Sequence, residues 1–342
     1  MLTKLNHRAL FLAVALLPVY IYLAPQLSGP SSTIFTTIAP IRASFTRTFQ
    51  GIKSQILNRA YTSTTQTAMP SIFPVKFIPR PSEERGHADH DWLKTFHTFS
   101  FAMYQDGQHD QFGSLRVINE DRVAPRTGFG THSHREFEIF SYVVSGELEH
   151  KDSMGNTEIL KRGDLQLTSA GTGISHSEKA HGSKQVHFLQ IWSIPSTSRL
   201  PPKYFTRHFS DDEKKDKWAR IVAPVDAEGV VTAREGTGPA PVQSPLTLFA
   251  TLLSPSTSLK HAFLAGPKRQ RKAYLHVVQT SGYQPGKASE TGASVRLSAV
   301  SGDAEIVLKE GDGVYIMGET GKEVQVENIG GKVAEVLLFD LE

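Results

Sequence analysis

The chain has 342 residues, no cysteine, 39% hydrophobic and 21% charged residues, and a formal net charge of +3. Because cysteine is absent, disulfide bonds and thiolate metal sites are excluded, and any metal ion must be held by histidine and carboxylate groups. Residues 1–82 carry eight of the 37 basic residues and none of the 34 acidic ones. The rest of the chain is therefore mildly acidic, which argues against a nucleic-acid-binding surface on it.

Residues 1–71 are predicted to form a leader outside the folded part. Residues 9–24 are uncharged and apolar, and this stretch is slightly shorter than the about 20 residues of a typical membrane-spanning helix. They fit a signal-peptide core, a membrane anchor or part of an organellar presequence, and the acid-free, Ser/Thr-rich residues that follow have the composition of a transit peptide. We therefore expect membrane attachment or a mitochondrial location. Translation from Met69 would instead leave a compact chain in the cytoplasm or nucleus.

The folded part is predicted to begin near residue 72 and to be all-β. No long amphipathic helical pattern interrupts it, and Gly, Pro, Asn and Asp separate its short β-forming runs. Examples of these runs are 98–103, 115–118, 139–144, 165–168 and 186–191. Strands this short and this closely spaced are typical of an antiparallel sandwich or barrel.

A weak internal repeat divides this region. Leu-Lys-Arg-Gly-Asp at 160–164 resembles Leu-Lys-Glu-Gly-Asp at 308–312, an offset of 148 residues. Tyr-Val-Val at 142–144 resembles His-Val-Val at 276–278, an offset of 134 residues. Repeat units longer than one hundred residues indicate two homologous β-domains rather than a solenoid.

The two predicted domains span residues 72–210 and 211–342, and residues 206–245 are expected to connect them. The connection contains the charged run 211–217, for which a solvated turn or helix is the expected structure. β-Forming runs resume at Leu246.

Two pairs of candidate metal ligands stand in the first domain. His132 and His134 are two residues apart, and so are His176 and Glu178. Side chains two apart on a strand point to the same face. We therefore predict that these four residues meet around one ion. The same parity places Glu138 on the face of the histidines.

The second domain is predicted to lack this site. With the offset of 134 residues, His132 and His134 correspond to Gly266 and Lys268, and no His-x-Glu pair follows the second Gly-Asp. The basic run 268–272 is expected to be a solvated strand entry rather than an anion site.

The order Gly-x-Gly-x-His-x-His-x3-Glu, followed by Gly-Asp and a later His, resembles the two-motif signature of cupins, which are small jelly-roll barrels. Five runs together resemble the pirin family, and specifically its bacterial and fungal pirin-like branch: 84–93, 96–101, 115–121, 148–156 and 169–178. The resemblance is strong over residues 83–210, weaker in the second domain and absent from residues 1–70.

The resemblance implies two tandem cupin barrels with one metal ion, held in the N-terminal barrel. Carried over by motif, the ligands are three imidazoles and one carboxylate, a set that suits Fe(II), Mn, Co, Ni, Cu or Zn: His132, His134, His176 and Glu178. Glu138 would lie beside the ion without binding it; in the alternative, Glu138 is the ligand and Glu178 is free to act as a base. The other histidines of the first domain are expected to be ordinary hydrogen-bonded residues: His87, His90, His97, His150, His181 and His187.

Pirin-like proteins resemble quercetin 2,3-dioxygenases in activity, which implies Fe(II) as the ion and a flavonol-type aromatic substrate. The flavonol would bind near the ion through its deprotonated 3-hydroxyl, and dioxygen would open its ring with release of carbon monoxide. Glu178 is the candidate general base. Four phenylalanines are candidates either for the walls of a substrate pocket or for the barrel core: Phe99, Phe101, Phe129 and Phe140.

Two other functions stay open. One is a non-enzymatic, metal-binding regulator that senses redox state and contacts transcription factors, in the manner of animal pirin. The hydrophobic leader disfavours the nuclear location that this role requires. The other is a cupin enzyme whose native substrate is not a flavonol.

Overall fold

The computed structural model describes residues 74–342, so the predicted leader, with its apolar segment 9–24 and Met69, lies outside the described residues. Within this range the chain forms 22 strands, one short helix, α1 (Asp211–Lys214), and a 3₁₀ turn at Ser82–Glu84. The predicted all-β class with two tandem cupin barrels is confirmed. No helix among these residues is long and apolar enough to cross a membrane.

After β1 (Lys76–Arg80), eleven strands build the N-terminal barrel. They are β2 (Gly86–Asp89), β3 (Leu93–His97), β4 (Leu115–Val123), β5 (Gly128–His134), β6 (Glu138–Ser145), β7 (Glu147–Asp152), β8 (Thr157–Lys161), β9 (Asp164–Ser169), β10 (Ile174–Ala180), β11 (Val186–Ser193) and β12 (Lys203–His208). The larger sheet has the order β12-β9-β6-β11-β4-β3-β2, and the smaller sheet has the order β5-β10-β7-β8.

Ten further strands, together with β1, build the C-terminal barrel. They are β13 (Ala219–Pro224), β14 (Ala240–Val242), β15 (Leu246–Leu253), β16 (Ser258–Ala262), β17 (Gln270–Val277), β18 (Ser294–Ala299), β19 (Glu305–Lys309), β20 (Gly313–Glu319), β21 (Glu323–Asn328) and β22 (Ala334–Leu341). Its larger sheet has the order β1-β20-β17-β22-β15-β13-β14, and its smaller sheet has the order β16-β21-β18-β19.

Strand alternation divides the core into an interior for each barrel and a layer between them. On β6, Val143 packs inside the N-terminal barrel, whereas its neighbours Tyr142 and Val144 point to the opposite face. There they meet residues of the C-terminal barrel such as Leu248 and Leu337. Because successive side chains of a strand point to opposite faces, one apolar run serves both purposes. The two seven-stranded sheets therefore pack back to back.

The first described strand departs from the predicted division at residues 72–210. β1 pairs with β20 of the C-terminal barrel, where it covers an edge that would otherwise expose unpaired backbone groups. Its last residue, Arg80, is buried and donates from Nε and Nη2 to the carbonyl of Thr98 in the N-terminal half, at 3.2 and 3.1 Å. The strand is thus held by both halves of the molecule.

A buried carboxylate ties the two barrels together. Glu120 of β4 accepts hydrogen bonds from Nε2 of His187 at 3.0 Å, from Nε2 of His276 at 3.1 Å and from the backbone N–H of Gln279 at 2.8 Å. Burial alone would raise the pKa of Glu120, but the hydrogen bonds from the two histidines hold it well below its usual range. His187 is therefore a hydrogen-bonded core residue, in keeping with its expected role.

Candidate metal centre

Strand register brings three of the four predicted ligands together. β5 and β10 are antiparallel neighbours, and His132 lies directly opposite His176. His134 follows two residues later, so it shares the face of β5 that carries His132. One ring nitrogen from each imidazole lies within 4.8 Å of the others. We call His132, His134 and His176 the three-histidine group.

The nitrogens of this group converge. Ring centroids are separated by 4.6–4.8 Å, and Nε2 of His132 is 3.1 Å from Nε2 of His176. Nδ1 of His132 donates to the carbonyl of Gly130 at 2.8 Å. This bond places the hydrogen on Nδ1 and leaves Nε2 of His132 unprotonated, with a lone pair available for a metal ion.

The three-histidine group fits a divalent transition-metal ion. Two imidazole nitrogens 3.1 Å apart either share one hydrogen or bind one ion. Metal–nitrogen bonds of about 2.1 Å at a right angle place two ligand nitrogens about 3.0 Å apart. Nε2 of His134 is also buried without a hydrogen-bond partner, which a sharing of hydrogen between the other two rings does not explain. An ion satisfies all three rings.

The electrostatics keep these rings in the form that binds metals. Burial, reinforced by the neighbouring imidazoles, lowers the pKa of His134 and that of His176 to about 3. Both rings are therefore neutral at pH 7, with a lone pair available. His134 and His176 are buried, whereas His132 is half-buried between the exposed Thr131 and Ser133. His132 thus marks the open side of the group.

Glu178, the fourth predicted ligand, falls in a second and overlapping group. A bulge separates it from His176 in the pairing of β10 with β5. Within 4.8 Å of one another lie ligand atoms of His150, His176 and Glu178, all buried. We call these residues the buried group; it shares His176 with the three-histidine group.

Three donors hold the carboxylate of Glu178. Its Oε1 accepts from Oγ of Ser141 at 2.9 Å and from Nε2 of Gln166 at 2.7 Å, and its Oε2 accepts from Nε2 of Gln190 at 2.8 Å. These residues lie on β6, β9 and β11 of the facing sheet. The carboxylate is therefore fixed in direction, with spare acceptor capacity at Oε2.

Glu138, which parity placed on the face of the histidines, lies elsewhere. Its Oε1 accepts from Oγ of Ser169 at 2.5 Å and its Oε2 from the backbone N–H of Gln243 at 3.2 Å. The parity argument was wrong because the strand does not continue: β5 ends at His134, Glu136 has a φ of 60°, and a new strand begins at Glu138. The alternative with Glu138 as ligand loses its basis.

His150 was missed by the sequence reasoning, which treated it as an ordinary hydrogen-bonded residue. It lies on β7 directly opposite Glu178 and is fully buried. A signal was available, because His150 and Asp152 repeat the two-residue spacing used for the other pairs. Nε2 of His150 is 3.3 Å from Oδ2 of Asp152.

The aromatic wall of the site also differs from the predicted one. Phe99 and Phe140 belong to the layer between the barrels, and Phe129 packs edge-on against Trp92 with ring centroids 5.3 Å apart. Of the four, only Phe101 reaches the site, through an edge contact with Trp192 at 5.5 Å. The indole of Trp192 itself packs on His134 at 4.9 Å and on Phe137 at 5.2 Å. We call Phe101, Phe137 and Trp192 the aromatic wall.

The C-terminal barrel gives His132 a counterpart that the sequence offset did not find. The offset pointed to Gly266, but strand register pairs His261 with Val324 just as it pairs His132 with His176. The offset is wrong here because seven residues separate β16 from β17, whereas three separate β5 from β6. Within residues 74–342, both groups able to hold an ion lie in the N-terminal barrel.

Comparison with known proteins agrees with this fold. The family description "Pirin" matches residues 79–193. A quercetin 2,3-dioxygenase of Escherichia coli O157:H7 is 35% identical over 263 residues, covering 77% of this chain and 97% of that relative.

Two solved structures of a protein from the same species are similar to this chain. The crystal structure of YhhW from Escherichia coli has a TM-score of 0.63 and 32% identity, and covers 78% of this chain and 98% of that chain. Bacterial pirin YhhW from Escherichia coli in complex with nickel(II) has a TM-score of 0.62 and 32% identity, and covers 78% of this chain and 99% of that chain. The chain described here therefore belongs to the pirin family of the cupin superfamily.

Proposed function

We propose that this protein is a metal-dependent dioxygenase of the quercetin 2,3-dioxygenase type, with Fe(II) as its ion and a flavonol-type substrate. The observation that carries the proposal is the three-histidine group, whose nitrogens converge at a point open on the side of His132. The similarity to a quercetin 2,3-dioxygenase at 35% identity supports the substrate class. The ligand set we propose is the one carried over by motif: His132, His134, His176 and Glu178.

The chain's own residues hold and orient the reactants. Bound Fe(II) supplies redox chemistry toward dioxygen and open positions for a substrate oxygen. The aromatic wall offers an apolar surface beside His134, against which a flavonol ring can pack. The buried side of the site, closed by His176 and Glu178, keeps bulk water away from the reacting atoms.

Glu178 is the base in this proposal. Three hydrogen bonds fix the direction of its carboxylate, which would accept the proton of the substrate 3-hydroxyl. We place that proton on Oε2, because Oε2 accepts one hydrogen bond whereas Oε1 accepts two. The donor from Gln190 would then fix the carboxylate during proton transfer.

The test uses the full chain, loaded with Fe(II) without oxygen and then mixed with quercetin and dioxygen. We expect loss of quercetin absorbance, matching oxygen uptake and release of carbon monoxide. The His176→Ala variant, which loses a ligand, should show none of these.

Other outcomes would reassign the function. Tight binding of the metal with no oxygen uptake would support the non-enzymatic, redox-sensing regulator. Weak turnover of quercetin with strong turnover of another catechol or enol would show that the native substrate is not a flavonol. Activity of His176→Ala equal to that of the wild type would contradict the site itself.

A further inference from the structure

We propose that the N-terminal barrel contains a second cation position, formed by the buried group of His150, His176 and Glu178. A divalent transition-metal ion could move between this position and the three-histidine group, because His176 belongs to both. The inference rests on the proposed function for the class of ion, and it adds His150 to the residues that hold this ion.

His150 has one ring nitrogen without a hydrogen-bond partner. Its Nε2 is 3.3 Å from Oδ2 of Asp152, and its Nδ1 is buried with no hydrogen-bond partner. A metal-binding histidine usually donates one ring nitrogen to a carboxylate and binds the ion with the other. His150 has this arrangement, and Nδ1 is the nitrogen it would offer.

The carboxylate that orients His150 is itself fixed. Oδ1 of Asp152 accepts from the backbone N–H groups of Met154 and Asn156 at 2.9 and 3.0 Å, and Oδ2 accepts from Nδ2 of Asn156 at 2.7 Å. The turn after β7 therefore sets the position of the carboxylate. A ligand held in this way keeps its orientation without an ion.

Strand register builds the rest of the group. In the pairing of β10 with β7, Glu178 lies directly opposite His150 and His176 directly opposite Asp152. Side chains at opposite positions of an antiparallel pair are close neighbours. The buried group thus stands on two adjacent strands rather than on loops, which favours a fixed geometry.

His176 can face both positions. Its Nε2 points toward His132, at 3.1 Å from Nε2 of that residue, while its Nδ1 is buried without a partner. The buried group thus contains two unpartnered imidazole nitrogens, one on His150 and one on His176, beside the carboxylate of Glu178. Nitrogen and carboxylate donors of this kind suit Ni, Co, Fe and Zn.

One side of the buried group is closed. The ring of Tyr204 stacks on His150 with centroids 4.9 Å apart, and the guanidinium of Arg234 lies over Tyr204 at 5.5 Å. With this side closed, we place the entry of the ion at the three-histidine group, which shares His176 with the buried group. This order of entry links the two positions.

The test measures nickel(II) binding by the full chain, by competition with a chelator and by the absorption spectrum of the bound nickel. His150→Ala should weaken nickel binding by about tenfold or more and change the spectrum. The double variant His132→Ala/His134→Ala should still bind one nickel ion per chain, and adding His150→Ala should release it.

Asp152→Asn, which keeps the shape of the side chain, should give a smaller change in nickel affinity in the same direction. His187→Ala, a buried histidine bonded to Glu120, is the matched control and should leave nickel binding unchanged.

Two results would overturn the inference. One is an unchanged affinity and spectrum in both His150→Ala and Asp152→Asn, with unfolding midpoints of the metal-free variants showing that both are folded. The other is a loss of all nickel from His132→Ala/His134→Ala. Failure of the proposed function looks different: His150 would still affect nickel binding, but the iron-loaded wild type would not consume quercetin.

Discussion

The two barrels share one fold and strand register but differ in the polarity of their interiors. Three polar residues face one another across adjacent strands of the N-terminal barrel: Ser141, Gln166 and Gln190. The same register in the C-terminal barrel brings together three aliphatic residues: Leu275, Val314 and Leu338. The polar set binds the carboxylate of Glu178, whereas the aliphatic set belongs to an apolar core. The fold does not need polar residues at these positions.

The ligand strands show the same contrast. β21 of the C-terminal barrel carries Val324 opposite His261 and Val326 opposite Leu297. The corresponding strand β10 carries His176 and Glu178. The retained His261 does not face a partner imidazole, and its Nε2 is instead 2.8 Å from Oδ2 of Asp340. A metal site in this fold therefore depends on the complete polar set and not on a single histidine.

Placing a carboxylate at the position of the C-terminal barrel that corresponds to Glu178 should give the largest change in stability. Val326→Glu buries a carboxyl group among apolar residues, since Leu275, Val314 and Leu338 stand where the donors to Glu178 stand. We expect a loss of about 4 kcal/mol or more in the free energy of unfolding at pH 7. Denaturant unfolding of the full chain measures it. The control is Val307→Glu, at a valine 47% exposed in the same barrel; a similar loss in both variants would contradict the comparison.

The next effect concerns a carboxyl group in the polar interior. Burial, and then the charges of Glu178 and Glu120, raise the pKa of Asp121 from 3.8 to about 7, and its Oδ1 has no partner. The folded state binds this proton more tightly than the unfolded chain does. The stability that this bound proton gives to the folded state is therefore fully present below about pH 4 and is lost as the pH rises through about 7.

Asp121→Asn should therefore be more stable than the metal-free wild type at pH 8, by up to about 4 kcal/mol, with a much smaller difference at pH 5. Unfolding midpoints in urea at the two pH values give the comparison. Asp303→Asn, at an exposed aspartate, should leave the pH dependence unchanged. An equal pH dependence in Asp121→Asn and wild type would show that Asp121 is ionised in the folded protein.

Removing the shared histidine should have the third largest effect. His176→Ala takes one ligand from each of the two groups. Loss of residues that only orient a ligand costs 10–100-fold in metal affinity, so loss of this ligand should exceed about 100-fold. His261→Ala is the matched control, because His261 holds the equivalent register position in the C-terminal barrel. Nickel competition titration should separate the two variants; equal affinities would contradict the assignment of the site.

The sequence predicted those parts of the molecule that depend on local pattern. The two-residue spacing placed His132 and His134 on one face, and the family resemblance gave the tandem barrels. Pairing between distant strands was not accessible in the same way. That β1 would join a sheet whose other strands begin at Ala219 follows from the packing of the whole molecule and from no motif.

The two wrong predictions, for Glu138 and His150, also arose where the structure depends on more than the local pattern. The two-residue spacing placed Glu138 on the wrong face because the strand breaks at Glu136. The φ of 60° at Glu136 is a conformation that the sequence pattern did not reveal. His150 was passed over because its importance lies in its register with Glu178. An alternating pattern specifies the face of a side chain but not the strand that lies opposite.

The smallest effect tests which carboxylate belongs to the site. Ser141→Ala removes one of the three donors to Glu178, and Ser169→Ala removes one of the two donors to Glu138. Both changes delete one buried hydroxyl in the N-terminal barrel, so their costs in stability should be similar, at about 1 kcal/mol. Their effects on the metal should differ. Ser141→Ala should weaken nickel binding by about tenfold, because a donor that orients a ligand is lost, and Ser169→Ala should leave it unchanged. Titrations of both variants decide the matter: weaker binding in Ser169→Ala alone would return Glu138 to the ion and remove Glu178 from it.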